Sequence, residues 1–136
     1  MRTLFPILIW AVAGLGTVRA QEIIVNSGVK ICEISKSDLR DIFTGAAGNY
    51  KDGSRAVAVN LKGGAVREAF LKNIIGKSDA AYSAAWRVLV FSGQGVMPKS
   101  FPTEEALVDY VASVPGAIGY IGAPTGHERV KSLAVK

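Results

Sequence analysis

The sequence predicts an α/β domain, a mixed sheet with helices packed on it. Three observations predict it. Short β-branched runs alternate with stretches of helical period, in the order β-α-β-α-α-α-β-β. Ser35, Ser78 and Thr103 each stand where a helix needs an N-cap. Glycines at 45, 76 and 116 stand where those segments must end.

Glu22-Ile23-Ile24-Val25-Asn26 reads as the first strand, stopped by Ser27-Gly28. Ser35 opens a helix with Asp38 at the capping-box position and Ile34 and Leu39 as staple. Leu39, Ile42 and Phe43 form its apolar stripe, and Gly45 ends it. Residues 45–54 form a loop containing Asn49 and Asp52-Gly53. Ala56 to Asn60 is a strand apolar enough to be buried on both faces. Lys62-Gly63-Gly64 turns the chain into a helix from Ala65 to Ile75, with Val66, Ala69, Phe70, Asn73 and Ile74 on one face. Ser78 caps a helix through Leu89, with Ala81, Ala85, Trp86 and Leu89 on one side. Phe91 to Pro102 reads as irregular. Thr103 caps a helix whose first turn holds Glu104 and Glu105, and whose stripe is Leu107, Tyr110, Val111 and Val114. Ala117–Ile121 and Val130–Val135 complete the strands.

The N-terminus differs from the rest. Arg2, an apolar stretch from Leu4 to Gly16, and Val18-Arg19-Ala20 have the three-part layout of a secretory signal. The apolar stretch is short for a membrane span, which needs about 20 residues. The expected organisation is a signal peptide at 1–20 and one domain at 21–136, located in the periplasm and meeting the membrane only during export. The full chain carries 16 basic and 11 acidic residues, net +5. Without Arg2 and Arg19 the balance is 14 to 11, net +3, with no basic run or interleaved aromatics. That pattern excludes a nucleic-acid partner and leaves small anions. Cys32 is the single cysteine, so no internal disulfide forms; between Ile31 and Ile34 it is expected to be buried.

Enzymatic readings find little support. His127 is the single histidine, so it has no partner for a metal pair, and no Gly-x-Ser-x-Gly elbow is present. Gly76-Lys77-Ser78 resembles the end of a phosphate loop, but Leu71 occupies the required glycine position. The expectation is no enzyme activity, no metal and no cofactor. The segment Asn60-Leu61-Lys62-Gly63-Gly64-Ala65-Val66-Arg67 carries the chemistry. A helix start exposes unpaired N–H groups and the positive end of the dipole. Glycines let a ligand approach them. Asn60, Lys62, Gly63, Gly64, Ala65 and Arg67 are therefore the candidate ligand-binding residues. A cation in a first helical turn opposes the dipole unless an anion or acid offsets it, and Arg67 stands there.

With these elements placed, residues 23–123 resemble the phosphate-binding-protein-like domain of substrate-binding proteins of phosphate ABC importers. The carriers are Ser35-Lys36-Ser37-Asp38-Leu39-Arg40-Asp41-Ile42-Phe43-Thr44-Gly45, Arg67-Glu68-Ala69-Phe70, Trp86, and Pro115-Gly116-Ala117-Ile118-Gly119-Tyr120. The resemblance implies a single lobe of a type 2 periplasmic-binding-protein-like fold, whose full form closes two lobes on an oxyanion. It implies phosphate or another small oxyanion as ligand, an ABC transporter or other envelope protein as partner, and a homodimer as one way to rebuild a cleft. In full-length members the strand-to-helix turn carries an Arg and then Gly-Ser-Gly-Thr. Here Asn60 stands near the Arg position, and Gly64, Ala65 and Val66 replace Ser, Gly and Thr. No hydroxyl remains in the turn. The alternative is an interaction or sensor module that keeps the lobe and has lost the ligand.

Overall fold

A computed structural model describes residues 22–122 and 128–136. The segment assigned to the signal peptide, and His127, lie outside the described residues. The elements run β1 (Glu22–Asn26), β2 (Glu33–Ile34), α1 (Lys36–Thr44), β3 (Val57–Leu61) and α2 (Ala65–Phe70), which continues as a π-helical turn (Leu71–Ile75). Then come α3 (Asp79–Phe91), β4 (Lys99–Phe101), α4 (Glu104–Ser113), β5 (Ala117–Ile121) and β6 (Val130–Val135).

The six strands form one mixed sheet in the order β2-β6-β1-β5-β3-β4. β1 runs antiparallel to both β5 and β6, with Ile23 opposite Tyr120 and Leu133. β3 is parallel to β5 and to β4, and β2 is parallel to β6. The caps act as their residue types require: Ser35, Ser78 and Thr103 accept from the amides of Asp38, Ala81 and Ala106. Gly45 and Gly76 close their helices at φ of 83° and 77°.

The core lies between the sheet and the helices. Phe43, Phe70 and Tyr120 meet at its centre, all fully buried. Phe70 stacks on Tyr120 at 3.9 Å between ring centroids, and Phe43 meets Phe70 edge-on at 4.8 Å. Gly116 fixes the entry to β5. Its φ is +80°, and a Cβ there would lie 2.3 Å from the Arg55 carbonyl oxygen, which being backbone cannot yield. Its own carbonyl accepts from Tyr50 Oη at 2.7 Å and from the Val57 amide at 3.0 Å.

Four sequence expectations are corrected. Cys32 is exposed, because it sits in the bend before β2, outside the strands and helices. The stretch from Phe91 to Pro102 holds a strand, β4, which pairs Lys99 to Phe101 against Val59 to Leu61. The helix α3 turns Tyr82 and Trp86 inward and leaves Ala81 outside; both inward side chains donate to the Phe43 carbonyl, which sets the rotation. Asn73 points outward because the chain widens to a π-turn after Phe70 and shifts the helical phase.

Candidate functional site

The parallel strands β3, β4 and β5 end at one edge of the sheet, and there β3 turns into α2. The Lys62 amide donates to the Phe101 carbonyl at 2.8 Å, tying the turn to β4. The Gly122 amide, just past β5, donates to Glu104 Oε1 at 2.6 Å. Gly64 takes φ 94° and ψ 174°, a backbone shape that excludes side chains with a Cβ.

Gly64 is the N-cap of α2 and supplies no side-chain bond, unlike Ser35, Ser78 and Thr103. The first main-chain bond of the helix runs from the Glu68 amide to the Gly64 carbonyl at 3.1 Å. The amides of Gly63, Gly64, Ala65, Val66 and Arg67 precede it and have no acceptor among the described residues. Residues Lys62 to Ala65 are exposed, so water or a ligand reaches these donors.

Two of the six candidate residues face inward. Asn60 is 2% exposed; its Nδ2 donates to Tyr82 Oη at 3.0 Å, and its Oδ1 accepts from Tyr120 Oη at 3.3 Å. Tyr120 Oη in turn accepts from the Leu61 amide at 3.2 Å, and Tyr82 Oη donates to the Phe43 carbonyl at 2.8 Å. Arg67 is 6% exposed. Its Nε and Nη2 donate to both oxygens of Asp79 at 2.9 and 3.1 Å. Its Nη1 donates to the Leu61 carbonyl at 2.8 Å, and the guanidinium lies over the Tyr82 ring at 5.6 Å. The acid that offsets the cation in the first turn is therefore Asp79, from the first turn of α3, and not its neighbour Glu68.

Burial works against the Arg67 charge, and the hydrogen bonds and charge of Asp79 more than reverse it, so its pKa stands above the ordinary value. Those same hydrogen bonds hold the Asp79 carboxyl below the usual carboxylate range. Lys62 is the exposed side-chain cation of the turn. Asn60 and Arg67 thus brace the turn from below, and the amides and Lys62 face solvent.

Sequence reasoning missed Asp79, Tyr82 and Tyr120 as parts of this constellation. Asp79 read as an ordinary first-turn acid, and its partner lies twelve residues away on another helix. The two tyrosines carried no motif of their own beyond the block that ends at Tyr120. Burial raises the Tyr120 hydroxyl to about 12 and raises those of Tyr82 and Tyr50 too. An unfolded tyrosine ionises near about 10, so this stability is present below that pH and is lost as the pH rises toward about 12. In an alkaline titration read at the tyrosinate band, these three tyrosines are expected to ionise together with loss of far-ultraviolet dichroism. Gradual ionisation with the dichroism intact would contradict their burial.

Comparison with known proteins gives the same fold. No family model and no curated protein sequence matches the chain. Solved structures do. A phosphate ABC transporter substrate-binding protein from Clostridium perfringens, described as putative and solved with bound phosphate, superposes with a TM-score of 0.66 at 20% identity, over 85% of this chain and 44% of that one. PstS from Borrelia burgdorferi gives 0.64 at 19% identity, over 86% and 47%. An ABC-type phosphate transport receptor from Vibrio cholerae gives 0.63 at 16%, over 85% and 45%. The fold is periplasmic-binding-protein-like. The chain spans a little under half the length of these binding proteins. Among its described residues, no helix is long and apolar enough to cross a membrane.

Proposed function

We propose that the protein is a periplasmic solute-binding-type lobe, without catalytic activity, that holds a small oxyanion at the turn from Lys62 to Arg67. Phosphate is the first candidate, and an ABC-type uptake system is the proposed destination. The observation that carries this reading is the bare start of α2, where five successive amides lack an acceptor among the described residues, at the carboxyl ends of three parallel strands. The carboxyl ends of strands are where open α/β sheets take ligands. Aligned amides and the helix dipole favour an anion there. In this reading Lys62 and the main chain touch the ligand, whereas Asn60 and Arg67 position the turn. With no side-chain hydroxyl and one exposed cation, affinity is expected to be modest. Each hydrogen bond exposed to water contributes about 1 kcal/mol net.

Calorimetry with phosphate, against chloride at matched ionic strength, tests the proposal. Saturable binding is expected, weakened by Ala65→Pro, which removes one donor at a position where proline fits a helix. Retained far-ultraviolet dichroism would show the variant folded. No heat of binding at millimolar phosphate would overturn the assignment.

A second reading is favoured by one observation. Asn60 and Arg67, the most specific polar side chains of the segment, are both engaged inside the fold. An interaction or sensor module would keep that bracing without a solute. A stoichiometric protein partner, with no anion effect on melting temperature, would decide for it.

A further inference from the structure

The large apolar side chains that the described residues expose fall in a single ten-residue stretch. Val88, Val90, Phe91, Val96 and Met97 are 67, 44, 89, 89 and 47% exposed. They occupy the C-terminal half of α3 and the loop that returns to β4. That loop folds back beside the helix, since a Cβ on Gly95 would lie 3.1 Å from the Trp86 ring. β4 begins next, and Phe101 at its far end lies beside the turn at Lys62, so Val96 and Met97 lie before the start of β4, on the side away from that turn.

The pattern on α3 is specific. Ala81, Ala84, Val88 and Phe91 are all exposed and are spaced by three, four and three residues. That is the a/d repeat of a helix-to-helix seam. The opposite face is pinned by Tyr82 and Trp86, which both donate to the Phe43 carbonyl, so the stripe cannot rotate inward. The stripe is small at its N-terminal end and large at its C-terminal end. Laid antiparallel on a copy of itself, it sets Phe91 against the partner's Ala81 and Val88 against the partner's Ala84. Large residues then meet small ones throughout, as dense packing requires. A two-fold contact is self-complementary in this manner. The antiparallel helix dipoles also favour it.

From these observations we infer that α3 and the loop after it form a homodimer interface, with α3 antiparallel to the partner's α3. Phe91 alone offers on the order of 150–200 Å². The α3 stripe and the loop after it together expose roughly 500 Å² of apolar surface per copy, so a pair buries at most about 1,000 Å², the threshold of a specific though weak interface. The inference rests on observations separate from the anion proposal, the exposed apolar stripe of α3 rather than the bare amides of the turn, although α3 begins at Asp79, the partner of Arg67.

Sedimentation velocity on the purified protein, from about 1 to 200 μM, tests it. A monomer–dimer equilibrium in the micromolar range is expected. Phe91→Glu is expected to weaken association by about 10–100-fold. Melting of the dilute monomer should not change, since Phe91 is 89% exposed. Ala84→Tyr, also at an exposed position, is expected to block the seam without unfolding the chain. A monomer at every concentration would overturn the inference. So would a dimer that survives both substitutions, and a dimer that loses affinity on Phe91→Glu but not on Ala84→Tyr would exclude the antiparallel arrangement.

Discussion

Phe70→Ala is expected to destabilise the protein by about 3–5 kcal/mol, the largest effect of any single truncation proposed for it. Phe70 is fully buried, stacks on Tyr120 with 9° between ring planes, and meets Phe43 edge-on. Three elements meet at these rings: α1 gives Phe43, α2 gives Phe70 and β5 gives Tyr120. Removing the middle ring leaves a cavity that none of the three can close alone. It also loosens the Tyr120 hydroxyl, which supports the last residues of β3 through Asn60 and the Leu61 amide. Domains of this size hold about 5–15 kcal/mol in all, so the variant should be marginal at 25 °C. Urea unfolding reads the change as a lower midpoint at unchanged slope. A loss below about 1 kcal/mol would mean that the ring cluster is not the keystone described.

Arg67→Ala is expected to destabilise by about 2–3 kcal/mol. Breaking a fully buried pair costs about 3–5 kcal/mol, but the Asp79 side chain is 49% exposed and water relieves part of the loss. What remains is a buried Leu61 carbonyl without its donor and a cavity beside Tyr82. Arg67→Lys is expected to rescue little, because one ammonium cannot serve the Leu61 carbonyl and both Asp79 oxygens together. A double-mutant cycle with Asp79→Asn measures the coupling, expected in the range of about 0.5–3 kcal/mol. A stability unchanged in Arg67→Ala would return Arg67 to the role of a ligand contact.

Much of the fold was legible because local chemistry dictates it. Ser35, Ser78 and Thr103 start helices through their hydroxyls whatever surrounds them, and Gly45, Gly76 and Gly116 adopt backbone shapes that other residues resist. The two short strands were not legible. β2 has two residues and β4 three, and both exist because a parallel neighbour supplies their hydrogen bonds. The exposure of Cys32 depends on what packs over the bend before β2, which local sequence does not encode. At the candidate site the turn itself was legible from Gly63-Gly64 and the helix that follows. The direction of Asn60 and Arg67 was not, since it is set by Tyr82, Tyr120 and Asp79, which arrive from distant segments. The outer stripe of α3 was hidden for a related reason. Ala81 fits either face by composition, and only the bonds of Tyr82 and Trp86 to Phe43 choose between them.

Nitrogen–proton correlation spectra of the labelled protein, titrated with phosphate at constant ionic strength, test the oxyanion assignment most directly. Saturable shifts should concentrate on the amides of Gly63, Gly64, Ala65 and Val66, with the Asn60 and Tyr120 environments barely moved. Shifts that stay linear to the highest concentration, or that gather at another edge of the sheet, would contradict it.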